Sequence, residues 1–315
     1  MSADRDHVGS ARLAPAAQGS PPARHAALRR LLRSPEPFFL MEAHDGMSAR
    51  IADAAGFPAI WASGLSISTA LGVRDSDEAS WSQILSVVAR IVEASTVPVV
   101  VDGDTGYGNF NSARRFTRQA ELTGASAVCL EDKLFPKMNS FVGDNHQLAP
   151  AAEFCGKLRA CKDIVADGNF CVIARTETLI AGGSVTEALD RASAYALAGA
   201  DAIFIHSRRK TAEQIEEFAG RWPGQVPLII APTTYADTPV AEFRQMGIRG
   251  IIWANQNMRA AFAAMRAVCQ HISAAKDVLH VEDRLAPLAD VFSLLRYDEL
   301  AEDERRYGAV ATEPH

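Results

Sequence analysis

Strand-like and helix-like segments alternate along residues 38–274, and this alternation limits the folds that the chain can adopt. Short apolar runs rich in β-branched residues predict strands, and longer segments with apolar residues at helical spacing predict helices. The predicted strands are 38–44, 59–64, 97–101, 127–131, 170–177, 202–207, 226–231 and 250–254. The helices predicted to follow them are 47–57, 81–95, 111–123, 151–164, 185–197, 211–221, 240–246 and 257–274.

Eight strand–helix pairs predict an α/β fold of the (β/α)8 TIM-barrel type, with a closed parallel sheet inside a ring of helices. A doubly wound open sheet is the main alternative, but no G-x-G-x-x-G motif follows the first predicted strand. We therefore expect one barrel domain with its C-terminal helices over residues 25–300. A disordered tail (1–24) is expected before it and a C-terminal tail (301–315) after it.

Composition argues against several classes of protein. The net charge of −6 provides no basic surface for nucleic acid, and no apolar run reaches the ~18 residues needed to span a bilayer. The N-terminal region lacks the continuous apolar segment of a secretory signal. The 5 cysteines form no C-x-x-C pair, which argues against a zinc site and favours reduced thiols. We expect a cytoplasmic protein with neither a nucleic-acid nor a membrane partner.

Polar side chains cluster at the ends of the predicted strands. In (β/α)8 barrels the active site lies at the carboxyl ends of the strands. Those ends carry Glu42, His44, Ser63, Asp102, Asp104, Glu131, Arg175, Glu177, His206 and Asn255. Their coincidence at one rim predicts a functional site there.

Asp102 and Asp104 follow the apolar run 97–101. Side chains alternate along a strand, so these two carboxylates are expected on the same side. They repel each other unless a cation lies between them, and Mg²⁺ is a hard cation that prefers oxygen ligands. In isolation the pair is equally consistent with one aspartate that caps the next helix and another that faces solvent.

The segment after the fourth predicted strand is unusually long for a loop of this fold. Lys137, Asn139 and Ser140 place a cation, an amide and a hydroxyl close together, which suits an anionic substrate. The loop is therefore predicted to be a lid over the site, and a solvated surface loop is the alternative.

Six stretches closely resemble the phosphoenolpyruvate mutases of the isocitrate lyase superfamily, and the resemblance extends over residues 38–300. They are 64–81, 101–115, 131–140, 174–182, 203–207 and 253–260. Superfamily lyases carry a lysine-lysine-cysteine-glycine-histidine loop where this chain has EDKLFPKMNS, which disfavours a carbon–carbon lyase. Phosphonopyruvate hydrolase is similar almost throughout but has threonine at the position of Asn139, so Asn139 favours the mutase.

The resemblance implies a role for each residue of the rim. Asp102 would bind Mg²⁺ directly, while Asp75, Asp104 and Glu131 would act mostly through metal-bound waters. The catalytic residues implied are Asp75, Lys137, Asn139, Arg175 and His206. The substrate-binding residues implied are Trp61, Ser63, Gly64, Leu65, Asn139, Ser140, Arg175 and His206. The chain departs from the family at Gly103, where alanine is usual, and at Met138, where a small or polar residue is usual.

The resemblance also implies the reaction, a Mg²⁺-dependent interconversion of phosphoenolpyruvate and 3-phosphonopyruvate at the start of phosphonate biosynthesis. Asp75 would either carry the phosphoryl group transiently or only order the water shell of the metal. The alternatives are a phosphonopyruvate hydrolase, a lyase or decarboxylase of the same superfamily, and a non-catalytic barrel. Family members imply a homotetramer built from dimers, with a C-terminal helix around 288–296 exchanged between subunits. A phosphonopyruvate decarboxylase is the expected pathway partner.

Overall fold

The computed structural model describes residues 19–144 and 146–308, and it divides into two compact units that meet between Met258 and Arg259. The first unit contains a closed barrel of parallel strands in sequence order, with the last strand paired to the first. The strands are β1 (Phe38–Ala43), β2 (Ala59–Ala62), β3 (Val99–Asp102), β4 (Ala127–Glu131), β5 (Cys171–Thr176), β6 (Ala202–Ile205), β7 (Leu228–Ile230) and β8 (Ile248–Trp253). Each strand overlaps one predicted strand, and the (β/α)8 barrel is confirmed.

Nine α-helices lie wholly within the described part of the first unit. They are α1 (Pro21–Arg33), α2 (Gly46–Ala54), α3 (Gly64–Ala70), α4 (Trp81–Ala94), α5 (Phe110–Thr123), α6 (Ala151–Ile164), α7 (Val185–Leu197), α8 (Glu213–Arg221) and α9 (Val240–Gln245). Helix α3 was not predicted; the Ser63 hydroxyl caps it by accepting the backbone N–H of Ser66. Helix α1 includes residues 21–24, which the sequence had assigned to the disordered tail. Residues 1–18 of that tail lie outside the described residues.

The second unit contains most of one long helix and two shorter ones. Helix α10 runs from Gln256 to Ala275, and it is followed by α11 (Leu288–Leu294) and α12 (Tyr297–Tyr307). Helix α12 therefore occupies much of the predicted C-terminal tail, and residues 309–315 lie outside the described residues. In the part of the chain that the structure describes, no helix has both the length and the apolar character that a membrane span requires.

The barrel strands bury both of their faces, which explains their nearly continuous apolar sequence. In β3, Val100 belongs to the cluster inside the barrel, while Val99 and Val101 belong to the cluster beneath the helices. Leu28 and Leu32 of α1 belong to the inner cluster, so α1 covers the amino-terminal end of the barrel. The carboxyl ends of the strands are therefore the end at which a site can open.

Candidate active site

A cavity of about 50 Å³ lies at the carboxyl ends of the strands. It is lined by Trp61, Ser63, Leu65, Asp75, Asp102, Glu131, Lys137, Asn139, Ser140, Phe141, Arg175, Phe204, His206, Ala231, Thr233, Ile252, Ala254 and Asn255. Pockets for drug-sized ligands are commonly about 300–1,000 Å³, so this cavity is small for a ligand site. Of the residues given a catalytic, substrate-binding or metal-binding role, only Gly64 and Asp104 are absent from the lining, and both contact residues that form it. Three further predicted rim residues, Glu42, His44 and Glu177, do not line the cavity.

The two aspartates at the end of β3 lie close together, but a turn rather than strand alternation places Asp104. Strand β3 ends at Asp102, and Asp104 has a left-handed backbone (φ 49°). Both side chains are buried, and Asp102 Oδ2 accepts the backbone N–H of Gly64 at 3.2 Å. A Cβ at position 64 would lie 3.1 Å from Asp104 Oδ1, so glycine lets the backbone approach both carboxylates.

The lid joins these carboxylates through Lys137. Its Nζ lies 2.5 Å from Asp104 Oδ1 and 2.7 Å from Asp75 Oδ1, and Asn139 Nδ2 donates to Asp75 Oδ2 at 2.6 Å. Lys137 and Ser140 are 7% and 4% exposed, so these two side chains of the loop point away from solvent. Antiparallel pairing of Lys133 with Leu148 holds the base of the lid together.

Burial and charge shift the pKa values of this cluster in different directions. Burial raises the pKa of the Asp102 carboxyl and raises that of Asp104 well above its usual range. Burial also acts to raise the pKa of Asp75, but the Lys137 ammonium and the Asn139 amide outweigh it and lower the value. The surrounding carboxylates, in turn, raise the pKa of Lys137 despite its burial. Asp75 and Lys137 are therefore charged at neutral pH.

The carboxylates fit a Mg²⁺ ion that keeps most of its waters. Oε1 of Glu131 is buried and has no hydrogen-bond partner among the described residues. No group of three or more histidine, cysteine or acidic side chains in the described chain is arranged to hold one metal ion. An oxygen-only set with few direct ligands suits Mg²⁺, which loses its waters reluctantly.

Glu177, one residue after β5, connects the lid to the phosphate-binding candidates. Its buried carboxylate lies 2.9 Å from His206 Nδ1 and 2.9 Å from Lys133 Nζ, and it accepts the Ser140 hydroxyl at 2.6 Å. It also accepts from the Arg175 guanidinium. Burial opposes ionisation of Glu177, but these cations outweigh burial and hold its pKa well below the usual range. Glu177 thus holds Arg175 and His206 in place.

His206 follows β6 and faces the same cavity. Burial lowers the pKa of its imidazole, and the nearby Arg175 guanidinium lowers it further. Nδ1 of His206 lies 2.9 Å from both Glu177 Oε1 and Arg175 Nη2, so it donates to the carboxylate in one tautomer and accepts from the guanidinium in the other. The same tautomer decides whether Nε2 accepts or donates.

Some site residues were missed by the sequence reasoning. Lys133 lies inside the EDKLFPKMNS loop, but nothing in the loop sequence indicated its pairing with Glu177. Phe204 points into the barrel, where its ring lies 5.0 Å from the Arg175 guanidinium. Alternation along β6 could have identified it as an inward-facing residue. Asp77, which accepts the backbone N–H of Lys137, carried no signal beyond its neighbour Asp75.

A family model described as phosphoenolpyruvate phosphomutase matches residues 28–273. The chain belongs to the phosphoenolpyruvate phosphomutase family. It is 60% identical over 281 residues to the phosphoenolpyruvate phosphomutase of Streptomyces hygroscopicus, across 89% of this chain and 90% of that protein.

Solved structures of relatives have the same fold. The crystal structure of a phosphoenolpyruvate phosphomutase from Streptomyces platensis subsp. rosaceus has a TM-score of 0.88 at 41% identity, across 90% of this chain and 99% of that one. A phosphonopyruvate hydrolase complex with oxalate and Mg²⁺ has a TM-score of 0.85 at 37% identity, also across 90% and 99%. These matches place the chain in the isocitrate lyase/phosphoenolpyruvate mutase superfamily and favour a mutase over a hydrolase.

Proposed function

We propose that this chain is a phosphoenolpyruvate mutase, an isomerase that interconverts phosphoenolpyruvate and 3-phosphonopyruvate. In the forward direction the bond between phosphorus and the enol oxygen breaks, and a bond between phosphorus and carbon 3 of the same molecule forms. The observation that carries the proposal is the contact between Asp75 and Asn139, the lid residue by which the sequence resemblance favours the mutase over the hydrolase. The high identity to phosphomutases supports the same conclusion.

Asp102 would hold Mg²⁺ directly, and Asp75, Asp104 and Glu131 would hold its waters. Bound there, Mg²⁺ would stabilise negative charge on the carboxylate and enolate oxygens of the substrate. Oε1 of Glu131 supports this assignment, because it is buried and accepts no hydrogen bond from the described residues. The burial that raises the pKa values of Asp102 and Asp104 supports it as well. Activity should be lost on chelation of Mg²⁺ and restored by its return.

Arg175 and His206 would hold the phosphoryl group, since a guanidinium fork matches phosphate oxygens in pairs. Glu177 would keep both side chains directed at the cavity. The Ser63 hydroxyl and the Leu65 amide would bind substrate oxygens, together with the Gly64 amide once it leaves Asp102. Trp61 would form the wall behind the substrate.

The lid would exclude water while the phosphoryl group is between its two positions. Lys137 would offset the negative charge of substrate and carboxylates, and Asn139 and Ser140 would contact the phosphoryl group from above. Water admitted at this stage would capture the phosphoryl group and give pyruvate and phosphate. Lid closure therefore separates isomerisation from hydrolysis.

Asp75 has two possible roles in this reaction. Its carboxylate could attack phosphorus as the bond to the enol oxygen breaks, and carbon 3 of the enolate would then take the phosphoryl group back. It could instead order the metal-bound waters while the phosphoryl group is transferred without an intermediate on the protein. The lowered pKa of Asp75 keeps it ionised for either role. Near-normal turnover of Asp75→Asn would contradict both.

Replacement of Asn139 by alanine tests the lid assignment. Mutase turnover should fall sharply, and the remaining activity should shift toward pyruvate and phosphate, because the phosphoryl group loses its shield. Phosphorus NMR distinguishes the products, and Met138→Ala is the matched control because its side chain is 47% exposed on the same lid. An unchanged rate and product ratio in Asn139→Ala would refute the role.

We also propose a homotetramer built from dimers that exchange their C-terminal helices. Large apolar side chains are exposed on the second unit, including Phe262, Met265 and Leu288 at 52%, 62% and 70%. Such side chains favour burial against another chain. Light scattering that gives a stable monomer would contradict the exchange.

The proposal also includes a cytoplasmic location and a partner decarboxylase. The decarboxylase would consume phosphonopyruvate, whose formation from phosphoenolpyruvate is energetically unfavourable.

A further inference from the structure

Asp77 is a carboxylate beside the lid to which the proposed reaction gives no role. Its Oδ2 accepts the backbone N–H of Lys137 at 2.6 Å. Its Oδ1 is buried and has no hydrogen-bond partner among the described residues. The backbone at Asp77 is left-handed (φ 58°), a conformation that asparagine, aspartate and glycine adopt most readily. A strained turn thus presents a partly buried anion to the lid backbone.

Asp75 and Asp77 lie on one turn and bind different parts of the lid. Asp75 contacts the flexible ends of Lys137 and Asn139, whereas Asp77 contacts the main chain of Lys137. A main-chain N–H is fixed relative to its own Cα, while the lysine side chain has several rotatable bonds. The Asp77 contact therefore restrains the lid backbone itself, whereas the Asp75 contacts restrain only side chains.

We propose that Asp77 is a positioning residue that fastens the closed lid through the backbone N–H of Lys137. The inference rests on the proposed function, because its consequence is the choice between isomerisation and hydrolysis. A hydrogen bond to a charged acceptor should change the ratio of closed to open lid by roughly 10- to 100-fold. Loss of this bond should raise KM and the fraction of phosphonopyruvate that is hydrolysed.

Two substitutions separate the acceptor from the backbone conformation. Asp77→Asn retains a side-chain oxygen that accepts a hydrogen bond and tolerates the left-handed backbone. Asp77→Gly tolerates the same backbone but has no acceptor, and Asp77→Ala replaces it as the test if the glycine variant does not fold. Asp144→Ala is the lid control, because Asp144 is an exposed carboxylate paired only at the surface with Arg208 at 3.2 Å.

Hydrogen exchange of the Lys137 amide, measured on the full-length protein, is the direct readout. Asp77→Gly should accelerate this exchange by roughly 10- to 100-fold. Asp77→Asn should accelerate it less, because its neutral oxygen still accepts a weaker hydrogen bond, and Asp144→Ala should resemble the wild type. Phosphorus NMR should show more phosphate from Asp77→Gly than from Asp77→Asn. Equal exchange in the glycine and wild-type proteins would overturn the inference, as would equal effects of the glycine and asparagine variants. If the wild type fails to convert phosphonopyruvate, the proposed function is wrong, and the amide exchange still decides the role of Asp77.

Discussion

Replacement of Glu177 by glutamine should destabilise the protein because it removes one anion from a buried ionic cluster. The cluster contains two cations, Lys133 and Arg175, and two carboxylates, Glu131 and Glu177, so the formal charges balance. Their side chains are only 3%, 11%, 2% and 0% exposed, respectively. Solvent therefore screens the cluster poorly, and a missing anion leaves its two cations with only one carboxylate between them.

The size of the loss follows from this burial. Removing one partner of a buried ion pair typically costs about 3–5 kcal/mol, whereas an exposed pair contributes about 0–1 kcal/mol. Glutamine has nearly the same shape as glutamate, so no cavity adds to the cost. Its carbonyl oxygen can still accept one hydrogen bond, which places the expected loss at about 3 kcal/mol.

Urea unfolding at pH 7, followed by far-UV circular dichroism, measures the loss. Glu217→Gln is the matched control because Glu217 pairs with Arg221 at 2.8 Å, with side chains 53% and 45% exposed. The control should lose less than about 1 kcal/mol. A loss below about 1 kcal/mol in Glu177→Gln, equal to that of the control, would refute the argument that the cluster is shielded from solvent.

Two further predictions concern a glycine and a histidine. Gly103→Ala should lower the free energy of unfolding in urea by about 1–3 kcal/mol, because the new Cβ would lie 2.7 Å from the Phe116 ring. Gly156→Ala is the control, since a Cβ there would have nothing within 4 Å. Equal stability of the two variants would contradict the clash. The hydrogen bond to Glu42 raises the pKa of His44 despite partial burial. The stabilisation that His44 contributes is therefore complete below about pH 6.5, and it is lost as the pH rises through the raised pKa. The difference in unfolding free energy between wild type and His44→Gln from pH 5 to 9 measures this, and a difference that grows with pH would contradict it.

The barrel could be predicted because every βα unit carries its own local signal. Buried strands such as 97–101 read as continuous apolar runs, and helices such as 111–123 end at a glycine with φ 93°. Helix α3 was missed because its seven residues are too few to establish an apolar period. Its cap, Ser63, was instead assigned to substrate binding alone.

The ring of site residues could be predicted from the strand ends, but their pairings could not. Lys137 was expected to face an anionic substrate, yet it lies between Asp75 and Asp104, since a lysine side chain reaches whichever carboxylates surround it. Lys133 and Glu177 come from different βα loops, and periodicity carries no signal for a contact between loops. Such contacts depend on how far each loop folds over the barrel, which only the tertiary structure defines.

The central claim is that the chain moves a phosphoryl group within one molecule. Purified protein incubated with phosphonopyruvate and Mg²⁺, and followed by phosphorus NMR, tests it most directly. The phosphonopyruvate resonance should decline while that of phosphoenolpyruvate appears, with no comparable rise in inorganic phosphate. Accumulation of inorganic phosphate with pyruvate, in place of phosphoenolpyruvate, would contradict the claim and assign the chain to the hydrolases.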